Sequence, residues 1–285
     1  MLDLLLNSRP RLFLDGRPDV VSAYSWRRLL RRYSGPLVRI RRSSDNAEAD
    51  FGQGRDLVGW ANVASFVGAG GGATAKWYDQ SGHGFDASQV TASAQPAVGL
   101  LANGLPGCVF DGVNDLLLTA HFGDTIQPIT EHLVYRRVTT AAGDATPHTL
   151  TDCLASQLRM ALYMRNSAPV AENVVYAGSG PLTGDIAVSQ PVGTRGAIGV
   201  LFSGAASIME IDAATTASFG PGIDIGAGYA GPSPNFDGIS IGACGNGSFF
   251  DNVEVQELVF FAGGGAHSRA QMQADNQAMA AFWRC

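Results

Sequence analysis

A chain of 285 residues with 46% hydrophobic residues, only 15% charged residues and 36 glycines is too apolar for disorder and too rich in turn-formers for a helical bundle. The net charge of −6 argues against a dedicated nucleic-acid surface, which carries a basic excess. No stretch approaches the roughly 18 uninterrupted apolar residues of a membrane span, so membrane insertion is not expected.

Residues 1–18 read as an extended N-terminal arm, because Pro10 and Pro18 bar helix while Leu12, Phe13 and Leu14 form an apolar patch suited to docking on a neighbour. The first seven residues lack the basic start and long apolar run of a secretory signal, so a protein made and used without export is expected. A helix is predicted from an Asp19 cap to Tyr33, with Ala23, Trp26, Leu29, Leu30 and Tyr33 on one face; Gly35-Pro36 ends it. Arg27, Arg28, Arg31, Arg32, Arg39, Arg41 and Arg42 crowd into this region and read as a solvated helix face plus one strand, or else as a contact for an anionic partner. Leu37 to Arg41 alternates apolar and basic side chains, the period of a half-buried strand. A short helix is predicted over 56–67, followed by a turn at Gly70-Gly71-Gly72; no Lys-Ser or Lys-Thr follows, so this is not a phosphate loop.

Beyond residue 96, short apolar runs recur between Gly, Pro, Asn and Asp: 108–110, 116–118, 132–135, 160–164, 197–202, 208–211, 238–241 and 253–261. That rhythm predicts an antiparallel two-sheet sandwich. Ser268 and Gln271 form a capping box for a terminal helix with Met272, Met279 and Trp283 on one side. The chain therefore divides into an arm, 1–18, and one domain, 19–285, with no internal boundary and no repeat.

Four places invite chemistry. In Asp79 to Asp86, carboxylates, a serine and two glycines fit a rigid loop that pins Trp77 and Tyr78; Asp79, Ser81 and Asp86 are also hard oxygen ligands, although their spacing matches no calcium loop. Asp111, Asn114 and Asp115 form a polar turn of the kind that binds sugars, or one that merely turns. Cys108, Cys153, Cys244 and Cys285 lack metal or disulfide spacing and are expected to be free thiols, with Cys285 able to link chains. His83, His121, His132, His148 and His267 share no ligand spacing, so neither zinc nor any other cofactor is expected.

Trp77 to Asp86, with RIRRSSDNAEAD at 39–50 and Val109 to Asp115, resembles the catalytic domain of family 54 α-L-arabinofuranosidases. It also resembles laminin-G-like, concanavalin A-type sandwich domains of bacteriophage structural proteins. The resemblance implies a mainly β fold, a concanavalin A-like jelly-roll β-sandwich with a short N-terminal helix and a C-terminal helix. In the arabinofuranosidases the general acid is an aspartate in a glycine-rich turn after a strand of the form Ile-x-Gly. Here the aligned residue is Asn246, whose amide donates no catalytic proton. Asp251 replaces it only in a rearranged loop, and Glu210 with Asp212 is the nearest candidate for the second carboxylate, or else the wet face of a strand. The family's adjacent cysteine pair is also missing.

The resemblance thus implies a retained sandwich with lost hydrolytic residues: a virion component of a phage tail tip, baseplate or fibre, assembled in the host cytoplasm. Its expected partners are other virion proteins through residues 1–18, further copies of itself, and a host-surface glycan. Sugar contacts are expected from Trp60, Tyr229, Phe236, Asp111, Asn114, Asp115, Asn246 and Asp251. The alternatives are an active α-L-arabinofuranosidase-like hydrolase or depolymerase, and a ligand-free decoration or collar protein.

Overall fold

The computed structural model describes residues 11–120, 128–138, 148–153, 159–167, 170–178, 186–189, 192–202, 208–213, 238–245, 247–262 and 267–285, with backbone alone for 148–149, 153, 159–167, 170–178, 186–189, 208 and 212–213. Its strands are β1 (Val20–Ser25), β2 (Val38–Arg42), β3 (Glu48–Phe51), β4 (Gly72–Trp77), β5 (Ala87–Ser88), β6 (Ala97–Leu100), β7 (Pro106–Asp111), β8 (Leu117–Leu118), β9 (Ile129–Arg137), β10 (His148–Cys153), β11 (Arg159–Ser167), β12 (Val170–Gly178), β13 (Ile186–Ser189), β14 (Arg195–Phe202), β15 (Ile208–Ala213), β16 (Ile239–Ile241) and β17 (Asn252–Ala262). Among the described residues there are two α-helices, α1 (Trp60–Val67) and α2 (Arg269–Trp283).

All these strands pair antiparallel, in a network that doubles over into a β-sandwich. One layer runs β15-β14-β9-β17, and the far edge of β17 is shared by β7 along its first half and β1 along its second. The other runs β13-β12-β11-β10-β16-β8-β5-β4-β2-β3, and β6 joins β4 to β7 across the fold. The inner faces meet in one core, where Leu133, Tyr135, Val255 and Phe260 face Ile40, Trp77, Leu117 and Ile241. Period-2 alternation explains the other face of β9 and β17: His132, Val259 and Phe261 point outward.

That outer face is covered rather than wet. Helix α2 starts at Ser268, whose hydroxyl accepts from the Gln271 amide, and buries Met272, Asp275, Asn276, Met279, Ala280 and Trp283 along one stripe. The capping box is only half closed, because the Gln271 amide group donates to Asp275 instead of returning to Ser268.

The expected helix over 19–33 is replaced by strand β1 and an irregular stretch. Val20 to Ser25 is almost wholly buried on both sides, which hides strand alternation, and the residues that mimic a helical stripe divide between two clusters. Tyr24 and Trp26 enter the inter-layer core, whereas Val20, Ala23, Leu29 and Leu30 join Val259 and Phe261 outside. Among the described residues the first α-helix is therefore α1, inside the stretch 56–67 read as helical. Leu14 is buried in the same outer cluster and Phe13 packs beside it, so this part of the apolar arm is committed to its own sheet.

The arginine crowd is not a solvated helix face. Arg27 pairs with Glu257 (2.6 Å), Arg39 with Asp50 (2.7 Å) and Arg42 with Asp45 (2.7 Å); Arg28 meets Asp56, and Arg31 meets Asp15 (3.5 Å). Cys108 and Cys244 are buried; Cys108 is a free thiol, and burial pushes it up to about 12. No helix among the described residues is long and apolar enough to cross a membrane.

Candidate functional site

The loop after Trp77 turns out to be a clasp on the N-terminal strand. Asp79 lies buried with all its acceptor positions engaged: Oδ1 accepts from the Ala23 (2.9 Å) and Ser81 (2.9 Å) amides, Oδ2 from the Ser81 hydroxyl (2.6 Å) and the Phe85 amide (3.1 Å). Gln80 donates to the Ser25 and Arg27 carbonyls and accepts from the Leu29 amide, while Tyr24 donates to the Phe85 carbonyl. Asp86 closes the loop by accepting from the Asp79 amide (3.0 Å) and meeting Lys76 (3.3 Å). Four donors aimed at one carboxylate leave it no lone pair for a cation, so the oxygens of Asp79, Ser81 and Asp86 serve the backbone here.

The polar turn between β7 and β8 is open to solvent. Asp111 and Asn114 are exposed, and Asp111 accepts from the Val113 (2.8 Å) and Asn114 (3.2 Å) amides, an Asx-type turn that Gly112 permits with φ of 77°. Asp115 turns inward to accept from the Asp111 amide (3.0 Å). Burial, helped by the Asp111 charge, raises its carboxyl to about 6. Register places this turn beside the start of β17, with Asn252 opposite Asp111, so Asp251 belongs to the same end of the sandwich. Trp60 opens α1 half buried against the core and is not an open platform. Asn246, Tyr229 and Phe236 lie outside the described residues, as does the side chain of Asp212.

Neither described hydrolytic candidate is free. Asp251 is buried against Arg137, Oδ2 to Nη2 at 2.7 Å, and its amide donates to the Gly242 carbonyl. Glu210 is not on a wet strand face: α2 covers it, and it pairs with Arg269 and accepts from Gln273 (3.3 Å). A carboxylate engaged by a guanidinium is fixed in place with its acceptor positions occupied, which suits neither a proton donor nor a mobile nucleophile. The acid that does keep its proton is Glu131, raised to about 8 by full burial and held by the Thr151 hydroxyl (2.7 Å) between the layers, away from solvent.

One cluster had no cue in the spacing of its members. His132 on β9, His267 before α2 and Asp275 on α2 converge on the outer face, with one ligand atom of each within 4.8 Å of the others. The available signal is a polar pair, Asp275-Asn276, on the helix stripe otherwise held by Met272, Met279 and Trp283.

No protein-family model and no curated protein matches the sequence. The likeness lies in solved structures. A family 54 α-L-arabinofuranosidase soaked with a cyclic sulfate inhibitor superposes with a TM-score of 0.69 at 17% identity, covering 94% of this chain and 64% of that one. A glutamate-to-glutamine mutant soaked with 4-nitrophenyl α-L-arabinofuranoside gives 0.70 at 17% identity over 94% and 64%. An arabinofuranosidase complexed with arabinofuranosyl-α-1,2-xylobiose gives 0.67 at 17% over 92% and 62%. The chain thus spans less than two thirds of those proteins, and what it shares with them is the arabinofuranosidase-like β-sandwich fold.

Proposed function

We propose that this sandwich is a carbohydrate-handling module whose ligands are glycans bearing α-L-arabinofuranosyl groups. The observation that carries the reading is a fold shared with arabinofuranosidases along 94% of the chain. In the turn braced by the inward-facing Asp115, the exposed Asp111 and Asn114 supply a carboxylate and an amide of the type that fixes sugar hydroxyls. Because Glu210 and Asp251 are each held by arginine, recognition without cleavage is favoured over hydrolysis.

The test measures binding and turnover on the same chain. Arabinofuranosyl oligosaccharides titrated calorimetrically should bind, with affinity reduced by Asn114→Ala and Asp111→Asn, while 4-nitrophenyl α-L-arabinofuranoside should release no nitrophenol above buffer. Release abolished by Asp251→Asn would replace this reading with the hydrolase. Absence of binding to any arabinofuranosyl ligand would remove both.

The virion setting expected from the sequence is a separate matter, supported by the phage-domain resemblance alone. It would be tested by whether the chain co-purifies in particles and loses that association when residues 1–18 are removed.

A further inference from the structure

The ligand atoms of His132, His267 and Asp275 are arranged as if around a cation. His132 is fully buried, and its Nδ1 lies 2.9 Å from Asn276 Oδ1. The amide of Asn276 is oriented by Nδ2 donating to the Glu210 carbonyl (3.3 Å), so its oxygen must accept and His132 Nδ1 must carry the proton. Nε2 of His132 is then a bare lone pair, buried, with no hydrogen-bond partner and 3.6 Å from Asp275 Oδ2. His267 repeats the pattern with its nitrogens exchanged. Nε2 faces Asp19 Oδ2 at 3.4 Å, and Nδ1, buried and without a hydrogen bond, lies 3.6 Å from the same Asp275 oxygen.

Two imidazole lone pairs and a carboxylate converging on one point repel each other unless something positive sits among them. Arg17 holds the Asp275 carboxylate through two nitrogens, Nη1 donating to Oδ2 at 2.7 Å and Nη2 to Oδ1, and so orients it.

We propose that His132 Nε2, His267 Nδ1 and Asp275 Oδ2 bind a zinc-class divalent ion, with a fourth position left for water or another donor. A tetrahedral ion with bonds of about 2.0–2.1 Å sets its ligand atoms roughly 3.4 Å apart; the two 3.6 Å separations need only a few tenths of an ångström of contraction. Two imidazoles select zinc and its transition-metal neighbours over calcium or magnesium, which take oxygen. The outer partners also fit: Asn276 and Asp19 fix the imidazole tautomers, and Arg17 with Gln271 holds the carboxylate. Gly199, opposite His132 in register, makes room for this arrangement, because a Cβ there would lie 2.9 Å from the Asn276 amide. The ion would clasp β9, the segment before α2 and α2 itself into one unit.

Chelator-treated chain is titrated with Zn²⁺ by calorimetry and with Co²⁺ by visible absorption, and melting is followed with and without metal. One ion per chain, tetrahedral Co²⁺ bands and a raised melting temperature are expected. His267→Ala, at the less deeply buried corner of the cluster and outside any strand or helix, should abolish all three while remaining folded by circular dichroism. Asp19→Asn, which only positions His267, should weaken affinity by roughly 10–100-fold; His83→Ala, in the Asp79 loop, should leave metal uptake and the Co²⁺ bands unchanged. The proposal is overturned if folded wild-type chain takes up no Zn²⁺ or Co²⁺, if His267→Ala binds as wild type does, or if nitrogen NMR finds a proton on His132 Nε2.

Discussion

Removing the Asp79 carboxylate should be among the most damaging single changes in this fold. In Asp79→Ala, the amides of Ala23, Ser81 and Phe85 and the Ser81 hydroxyl lose their common acceptor at once. Hydrogen bonds to a charged group contribute about 1.5–3 kcal/mol each when deleted singly, but four bonds to one carboxylate do not add. Ser81 and Phe85 sit in a surface loop that water can re-enter, whereas Ala23 is fully buried beneath it and its amide stays unpaired. The expected loss is therefore about 3–5 kcal/mol, a large share of the ~5–15 kcal/mol available to a typical domain. Urea unfolding followed by tryptophan fluorescence measures it, and Trp77, next to the loop, should report loosening before global unfolding. A loss below about 1 kcal/mol would refute the clasp reading. So would a calcium-dependent rise in wild-type melting temperature that vanishes in Asp79→Ala.

Three further outcomes follow from the geometry. Asp115, with a carboxyl near 3.8 in the unfolded chain and about 6 in the folded one, binds its proton more tightly when folded. Its contribution is full below pH 3.8 and is lost as pH rises to 6, so Asp115→Asn should gain on wild type across that window, by about 1 kcal/mol after solvent screening, in melts at pH 4 and pH 6.5; an unchanged or opposite difference would count against it. Gly242→Ala combines a φ of 86° with a Cβ 2.2 Å from the buried Phe110 ring, for a loss of about 2–5 kcal/mol in urea unfolding. Glu257→Ala strips acceptors from Arg27, Ser25 and the Trp283 indole in a buried setting and should cost about 3–5 kcal/mol, with α2 detaching first in hydrogen exchange.

Where an apolar run is bounded by turn residues, or a helix carries one apolar stripe, the sequence was readable. Val253 to Phe261, Ala197 to Phe202 and the Met272, Met279 and Trp283 stripe all became the elements their periods predict. Val20 to Ser25 was not, because a strand buried on both faces has no alternation and the following Trp26, Leu29 and Leu30 fill two cores at helical spacing by coincidence. Site chemistry was legible only locally. Asp111, Asn114 and Asp115 form one turn in sequence and in space, but the arginines that immobilise Glu210 and Asp251 come from distant elements. The His132, His267 and Asp275 cluster likewise exists only once α2 lies on β9.

The position of β17 carries a consequence for how the chain is made. Its partners β1, β7 and β9 are all synthesised earlier, and Val20 waits for Phe261 before its backbone is satisfied. A ribosome-bound nascent chain therefore presents open strand edges until β17 emerges. Such long-range closure folds slowly and exposes sticky intermediates, so a chain cut short before residue 252 should accumulate in aggregates rather than as a smaller sandwich.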